Sequence, residues 1–242
     1  MEVDVQFLPM APAHNSLSNR VVVVIDVLRA TSVIVHAISR GAMEIIPVIT
    51  VDEAFRMAKN FPAGTTLLGG ERGSRKIPGF DLGNSPREYV SEKVGGKRLI
   101  LTTTNGTRAF HAVSSAREIL VGSFLNVGAA ARRCFELGKD LLLFPSGDEG
   151  NLSLEDVVCG GMVIDCFIHK DKDKGSIHLT DAANAAYFLY QQFKGNLIEA
   201  FRVSHHGKDL INKGLEEDLV YCAQVDITDV VPVFRNGVIR AA

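Results

Sequence analysis

The stretch "VVVVIDVLRATSV", residues 21–33, decides the fold. Its first five residues are consecutive and apolar, the pattern of a strand buried on both faces, as in a parallel sheet. The run ends at Asp26, and Arg29 follows three residues later. Charged groups at a buried strand end are costly unless something needs them there. Taken alone, Asp26 is explained as a cap of the following helix; a ligand beyond the strand is the alternative.

The whole chain has the composition of a globular protein. Its 242 residues allow one large α/β domain or two small lobes, and 46% hydrophobic with 22% charged residues argues against disorder. A net charge of −2 without a basic tract argues against a nucleic-acid partner. The sequence shows no membrane-spanning run and no signal pattern, and its four cysteines form no C-x-x-C pair, which favours a cytoplasmic protein with reduced thiols.

Strand and helix patterns alternate through the first two-thirds of the chain. Strand patterns cover 3–8, 20–26, 44–49, 66–71, 97–103, 118–123, 140–145 and 230–240. Helical patterns cover 30–40, 51–60, 85–94, 106–115, 125–138, 153–169, 180–194, 197–213 and 215–224. This predicts an α/β fold: a mostly parallel or mixed sheet covered by helices on both faces, with a helix-rich C-terminal third. We expect a single domain, 1–242; lobes of about 1–150 and 151–242 with the site between them are a variant.

Acids and arginines recur where predicted strands end. Asp26 and Arg29 follow one strand, Glu71 and Arg72 another, and Glu155 or Asp156 opens a later helix. Ligands of open α/β sheets bind at such ends. Helix N-termini hold anions, and carboxylates without paired histidines suit Mg²⁺ better than zinc. Together these features predict a pocket for a small phosphorylated substrate.

Each of these features has a structural alternative. Glu155 and Asp156 can be ordinary first-turn acids, and His205-His206 is expected on the surface of a polar helix. The segment "GGERGSRKIPGFDLGNSPRE", 69–88, is too rich in glycine, proline and charge for a regular element and is interpreted as a binding flap. The repetition of acid with arginine at two strand ends favours the functional interpretation.

These residues lie in long stretches that resemble the 2-phosphosulfolactate phosphatase (ComB-like) family. The matching segments are "DVLRATS" (26–32), "GGERGSRKIPGFDLGNSPREY" (69–89), "TTTNGTRAF" (102–110), "SLEDVVCGGMV" (153–163) and "EEDLVYCAQVDITDVVPVFRNGVI" (216–239). The resemblance implies a Mg²⁺-dependent hydrolase that converts (2R)-2-phospho-3-sulfolactate to (2R)-3-sulfolactate and phosphate, as in coenzyme M biosynthesis.

The resemblance also assigns roles to residues of this sequence. It implies that Asp26, Glu71 and Asp156 bind the metal, with Glu155 as the alternative to Asp156. Asp26, Arg29 and Arg72 are expected to be catalytic. The expected anion-binding shell is Arg29, Thr31, Arg72, Ser85, Thr103, Asn105, Gly106, Thr107, Arg108, Ser123 and Asn126.

Several alternatives stay open at this point. Asp26 could attack phosphorus as strand-end aspartates of haloacid-dehalogenase-type phosphatases do, but those enzymes have D-x-D where Leu28 stands here, so an activated water is preferred. A non-catalytic module that binds phosphorylated or sulfonated metabolites, or a phosphatase of another small phosphoester, fits the same residues. A phosphotransferase is disfavoured because no G-x-x-x-x-G-K-[ST] motif is present. The apolar C-terminal helices leave a homo-oligomer open.

Overall fold

The computed structural model describes residues 1–12, 17–170 and 176–242. Its strands are β1 Glu2–Val5, β2 Val21–Ile25, β3 Glu44–Pro47, β4 Thr66–Arg72, β5 Arg75–Lys76, β6 Arg98–Thr102, β7 Glu118–Gly122, β8 Leu141–Pro145, β9 His178–Leu179, β10 Pro232–Arg235 and β11 Val238–Ala241. Its α-helices are α1 Ala30–Ser39, α2 Val51–Ala58, α3 Ser91–Val94, α4 Gly106–Ala112, α5 Val127–Leu137, α6 Leu154–Lys170, α7 Asp181–Phe193, α8 Leu197–Val203, α9 His205–Asn212 and α10 Glu216–Cys222. Short 3₁₀ helices cover Pro86–Glu88 and Phe124–Asn126.

The strands form one mixed sheet in the order β5-β4-β6-β3-β11-β10-β7-β2-β8-β1-β9. Strands β7, β2, β8, β1 and β9 form one parallel block, and β4, β6 and β3 form a second. The short strand β5 is antiparallel to β4. The antiparallel hairpin β10–β11 joins the two parallel blocks. The predicted α/β class with a mixed sheet covered by helices is therefore confirmed.

Strand ends from both blocks line one cavity, and the twist of the sheet accounts for this. Pairing through the hairpin makes β3 antiparallel to β7, so in a flat sheet the carboxyl ends of the blocks would lie at opposite edges. A twist of roughly 20–25° per neighbour accumulates to more than about 100° between β2 and β6. Helix α1 is buried along most of its length and packs, with α4, against residues of both blocks. The sheet thus curves around these helices and directs β2, β4 and β6 to one cavity.

The opposite faces of the sheet carry separate apolar clusters. Val22 and Val24 of β2 face the α1 side, whereas Val21, Val23 and Ile25 face a cluster formed with α5, α6, α7 and the later helices. Both faces of β2 are thus buried, as the apolar run predicts. A third cluster packs α2 and the flap residues Ile77 and Phe80 against β3, β4 and β6. The division into lobes stays a prediction.

Some predicted elements differ from those observed. The strand predicted at 230–240 is a hairpin, because Asn236 and Gly237 have the positive φ values that a two-residue turn needs. The helix predicted at 197–213 divides at Ser204, whose side chain caps α9 by accepting a hydrogen bond from the Gly207 N–H. Among the described helices, none is long and apolar enough to cross a membrane.

Candidate active site

A cavity of about 170 Å³ lies where β2, β4 and β6 end. Asp26, Glu71 and the segment Thr103–Asn105 form one side, which we call the strand wall. His205, His206, Asp209 and Lys213, from α9 and the residue after it, form the opposite side, which we call the helix wall. Arg29, Asn84 and the loop residues Asp148 and Glu149 complete the lining, together with Leu28, Gly73 and Ser74. The cavity is smaller than the roughly 300–1,000 Å³ of drug-sized ligand sites, which indicates a small metabolite.

Asp26 is held by the start of α1. Its Oδ1 accepts a hydrogen bond from the Ala30 N–H at 3.1 Å, and its own N–H donates to Thr31 Oγ1 at 2.9 Å. Burial raises the pKa of Asp26, and the Ala30 N–H and His206 act in the opposite direction. A Cβ at Gly106 would lie 2.6 Å from Asp26 Oδ2, so only glycine leaves this carboxylate room. The cap role and a ligand role of Asp26 are thus compatible.

Glu71 is fixed by backbone donors. Its Oε1 accepts the Thr104 N–H at 2.8 Å and its Oε2 accepts the Ser74 N–H at 2.9 Å. The neighbouring Arg72 points elsewhere and donates to the carbonyls of Glu71 and Ile49 and to Thr102 Oγ1. Of this predicted acid–arginine pair, only the acid reaches the cavity.

Arg29 is buried, lines the cavity and forms a buried ion pair. Its Nη1 lies 2.6 Å from Asp218 Oδ2, and its Nη2 donates to the Ser74 carbonyl at 3.0 Å. Its Nε is buried and has no hydrogen-bond partner within the described part of the chain. Asn84, also buried at the cavity, has an unpartnered Oδ1 on the same criterion. Buried polar groups are normally paired, so both atoms point to a polar ligand.

Two further acids lie behind Asp26. Asp156 Oδ1 accepts the Val27 N–H at 2.8 Å, and its Oδ2 lies 3.4 Å from Ser146 Oγ. Burial, and then repulsion from Asp26 and Glu155, raises the pKa of Asp156 well above its usual range. Burial likewise raises the pKa of Glu155. Both acids are buried at the start of α6, and neither lines the cavity.

The helix wall is made of ion pairs between side chains. His205 Nδ1 lies 2.8 Å from Asp148 Oδ2, and His206 Nδ1 lies 3.8 Å from Asp148 Oδ1. Lys213 Nζ lies 2.6 Å from Asp209 Oδ2 and donates to Ser74 Oγ at 3.4 Å. Burial opposes ionisation of Asp209, but the hydrogen bonds from Lys213 and Ser74 outweigh it and lower the pKa of its carboxyl. Sequence reasoning missed this wall, and the expectation that both histidines are surface residues is wrong for His206, which is largely buried.

Comparison with known proteins identifies the family. A family model described as 2-phosphosulpholactate phosphatase matches residues 7–237. The chain belongs to this family. A protein of Caldanaerobacter subterraneus subsp. tengcongensis is 44% identical over 241 residues, 98% of each chain, and proteins of Clostridium novyi and Clostridium acetobutylicum are 41% identical over 236 and 225 residues, 97% and 93% of each chain. All three are named probable 2-phosphosulfolactate phosphatase. The prediction of this family, and with it of a phosphoric monoester hydrolase, is confirmed.

The structure places only part of the expected 2-phosphosulfolactate phosphatase site at the cavity. Asp26, Arg29, Glu71, Thr103 and Asn105 line it. Expected residues outside its lining are Thr31, Arg72, Ser85, Gly106, Thr107, Arg108, Ser123, Asn126, Glu155 and Asp156.

Several of these outer residues form hydrogen bonds to other parts of the protein. Ser85 Oγ donates to Asp218 Oδ1 at 2.5 Å, and Thr107 bonds back to Thr103. Asn126 accepts the Ser123 N–H and donates to the carbonyls of Val121 and Val230. Some of these bonds are local, and those of Ser85 to Asp218 and of Asn126 to Val230 link distant parts of the chain. A hydroxyl or amide at a helix start is therefore no reliable mark of an anion site.

Arg108 lies apart from that group. It is exposed and lines an adjoining cavity of about 530 Å³, which shares Thr104, Asn105 and Glu149 with the first. The two cavities are therefore adjacent, and Arg108 belongs to the second.

The donor set at the cavity fits Mg²⁺ in one of its usual modes. Within the described ranges, no three His, Cys, Asp or Glu side chains form a metal-binding group, so Asp26, Glu71 and Asp156 are not assembled around one point. Mg²⁺ is, however, commonly bound by one or two carboxylates, water and a substrate phosphate. Asp26 and Glu71 both line the cavity and repel each other electrostatically, and the free Asn84 Oδ1 adds a neutral oxygen.

Proposed function

We propose that this protein hydrolyses (2R)-2-phospho-3-sulfolactate to (2R)-3-sulfolactate and phosphate with Mg²⁺, the reaction type of coenzyme M biosynthesis. The observation that carries the proposal is the opposition of charges in one small cavity: the acids Asp26 and Glu71 on one side, and the cations Arg29 and Lys213 around them. A small tri-anionic phosphoester needs both a cation site and several separate anion donors. Named relatives at 41–44% identity support the same substrate.

The residues of the cavity have different proposed roles. Asp26 and Glu71, with Asn84 Oδ1, would hold Mg²⁺, which when bound supplies positive charge to a phosphoryl oxygen. Arg29 is aligned by Asp218 and Ser74, so its unpartnered Nε is available to an anionic oxygen of the substrate. Positioning and charge neutralisation provide most of the catalysis of phosphoryl transfer. Water is the proposed nucleophile, activated by one of the cavity carboxylates.

The decisive experiment measures phosphate release from (2R)-2-phospho-3-sulfolactate, from 2-phosphoglycolate and from ATP, with Mg²⁺ and with EDTA. We expect turnover of the sulfolactate ester that EDTA abolishes and added Mg²⁺ restores. Binding of the ester without phosphate release would identify a binding module, and preferred turnover of 2-phosphoglycolate would identify a phosphatase of another ester. Metal-independent turnover would contradict the Mg²⁺ assignment.

Reduction with sodium borohydride after quenching during turnover tests the nucleophile, because it converts an acyl phosphate on an aspartate to homoserine. Direct attack by water leaves residue 26 as aspartate. Homoserine at position 26, detected by peptide mass spectrometry, would instead show attack by Asp26.

A further inference from the structure

Two adjacent histidines share one aspartate at the cavity but differ in burial. The His206 side chain is 20% exposed and that of His205 is 92% exposed, and Asp148 faces Nδ1 of both rings. Because Nδ1 of His206 is turned towards Asp148, Nε2 on the far side of the ring is the nitrogen available to a ligand. At 3.8 Å the Asp148 carboxylate is within ion-pair range of this ring and beyond a hydrogen bond, so it faces the ring without fixing its tautomer.

Acidic groups face His206 from several elements. They are Asp148 of the loop after β8, Asp26 at the end of β2, Glu155 of α6 and Asp209 of α9, and the neighbouring His205 competes for the same Asp148. The His206 ring therefore lies among four acidic side chains. The position matches that of a proton donor at the edge of a site that binds a phosphoester.

The chemistry of the proposed substrate requires such a donor. The leaving group is the alkoxide of a 2-hydroxy acid, a poor leaving group unless it is protonated as the bond breaks. Of the other cations at the cavity, Arg29 does not release its protons, and Lys213 is engaged by Asp209 and Ser74.

We propose that His206 is a catalytic residue that protonates the departing ester oxygen, and that Asp148 is its positioning residue. This inference rests on the proposed phosphatase function. As the oxygen of water bonds to phosphorus, it gives one proton to a cavity carboxylate. The bond from phosphorus to the ester oxygen breaks, its electron pair stays on that oxygen, and the oxygen takes the His206 proton. The proton on the carboxylate returns to the imidazole through solvent, so the products are the alcohol and hydrogen phosphate.

The test compares two leaving groups in His206→Gln and in a control variant, His169→Gln, which changes an exposed histidine of α6 outside the cavity lining. For (2R)-2-phospho-3-sulfolactate, loss of a general acid is expected to lower kcat by about 10²-fold or more in H206Q. For p-nitrophenyl phosphate, whose phenolate leaves without a proton, H206Q is expected to lose less than about 5-fold. H169Q is expected to resemble the wild type with both substrates.

The ratio of the losses on the two substrates tests the role of His206. Equal losses on both substrates, or no loss on either, would overturn the proposal, because binding and structural roles do not depend on the leaving group. If H206Q does not fold, Asp148→Asn provides the measurement: a loss confined to the alkyl ester supports the proposal, and an equal loss on both esters overturns it. If the wild-type protein releases no phosphate from either ester in Mg²⁺, the proposed phosphatase function itself is wrong. If the wild type is active and H206Q is equally active, only the role of His206 is wrong.

Discussion

The two walls of the cavity are built by different physical means. On the strand wall, backbone N–H groups hold the carboxylates: the Ala30 N–H binds Asp26, and those of Thr104 and Ser74 bind Glu71. On the helix wall, side chains hold side chains, as in the pairs Lys213–Asp209 and His205–Asp148. Backbone donors cannot move without moving the sheet, whereas ion pairs between partly exposed side chains can exchange partners with a ligand.

This difference suggests a division of roles. The strand wall is suited to a charge arrangement that must be rigid before substrate arrives, as electrostatic catalysis requires. The helix wall is suited to contacts that adapt to the substrate, since its cations already have acidic partners that a bound anion can replace. The following predictions test that contrast, in order of expected effect.

Removal of the Asp26 charge is expected to have the largest effect. Asp26→Asn keeps an oxygen for the Ala30 N–H and should fold normally, but kcat should fall by about 10³-fold or more because charge at the reacting centre is lost. Steady-state kinetics with the sulfolactate ester and thermal unfolding measure the two effects. Asp52→Asn, an exposed first-turn acid of α2, is the control. If D26N kept more than about a tenth of kcat, the strand wall would lose its catalytic role.

The positions of the strand-wall acids can also be predicted from the sequence, whereas those of the helix wall cannot. Asp26 and Glu71 lie next to contiguous apolar runs, so their places at strand ends follow from local patterns. His206 and Asp209 reach the cavity only because the chain turns at Ser204 and packs against the flap, which no local pattern specifies. Asn126 shows the converse: its sequence context resembles an anion site, but its partners are its own backbone.

Loss of the buried partner of Arg29 should be the next largest effect. Asp218 and Glu217 are adjacent and each pairs with an arginine, but the Asp218–Arg29 pair is only 2–3% exposed, whereas Glu217 and Arg87 are 75% and 48% exposed. Asp218→Asn leaves a buried guanidinium uncompensated and should lower the free energy of unfolding by roughly 3–5 kcal/mol. Glu217→Gln should cost less than about 1 kcal/mol.

Urea denaturation of both variants measures this contrast, with kcat and KM recorded alongside. We expect D218N also to raise KM, because Arg29 would no longer be aligned towards the cavity. Equal stability losses for D218N and E217Q would show that burial does not set the strength of these pairs.

The smallest expected effect is the pH dependence of stability caused by His36, a buried histidine away from the cavity. It shows how burial acts on an ionisable group that has no proposed role in catalysis. His36 of α1 is buried, and its Nδ1 lies 2.7 Å from the Tyr221 hydroxyl. Burial, and then repulsion from Arg40, lowers the pKa of His36 to about 4. In the unfolded chain the imidazole takes up a proton near pH 6.5, so the free energy of unfolding should fall as the pH falls from that value towards about 4.

Between pH 7 and pH 5 this one residue should lower the free energy of unfolding by about 2 kcal/mol. Denaturation curves of the wild type and His36→Gln at both pH values isolate its share, because all other titrations are common to the two proteins. His111→Gln, at an exposed position of α4, should keep the wild-type pH dependence. If H36Q kept the wild-type pH dependence as well, His36 would not be held neutral in the folded protein. Burial alone would then not explain why His36 in α1 is neutral while Asp26, at the start of the same helix, lies at the cavity.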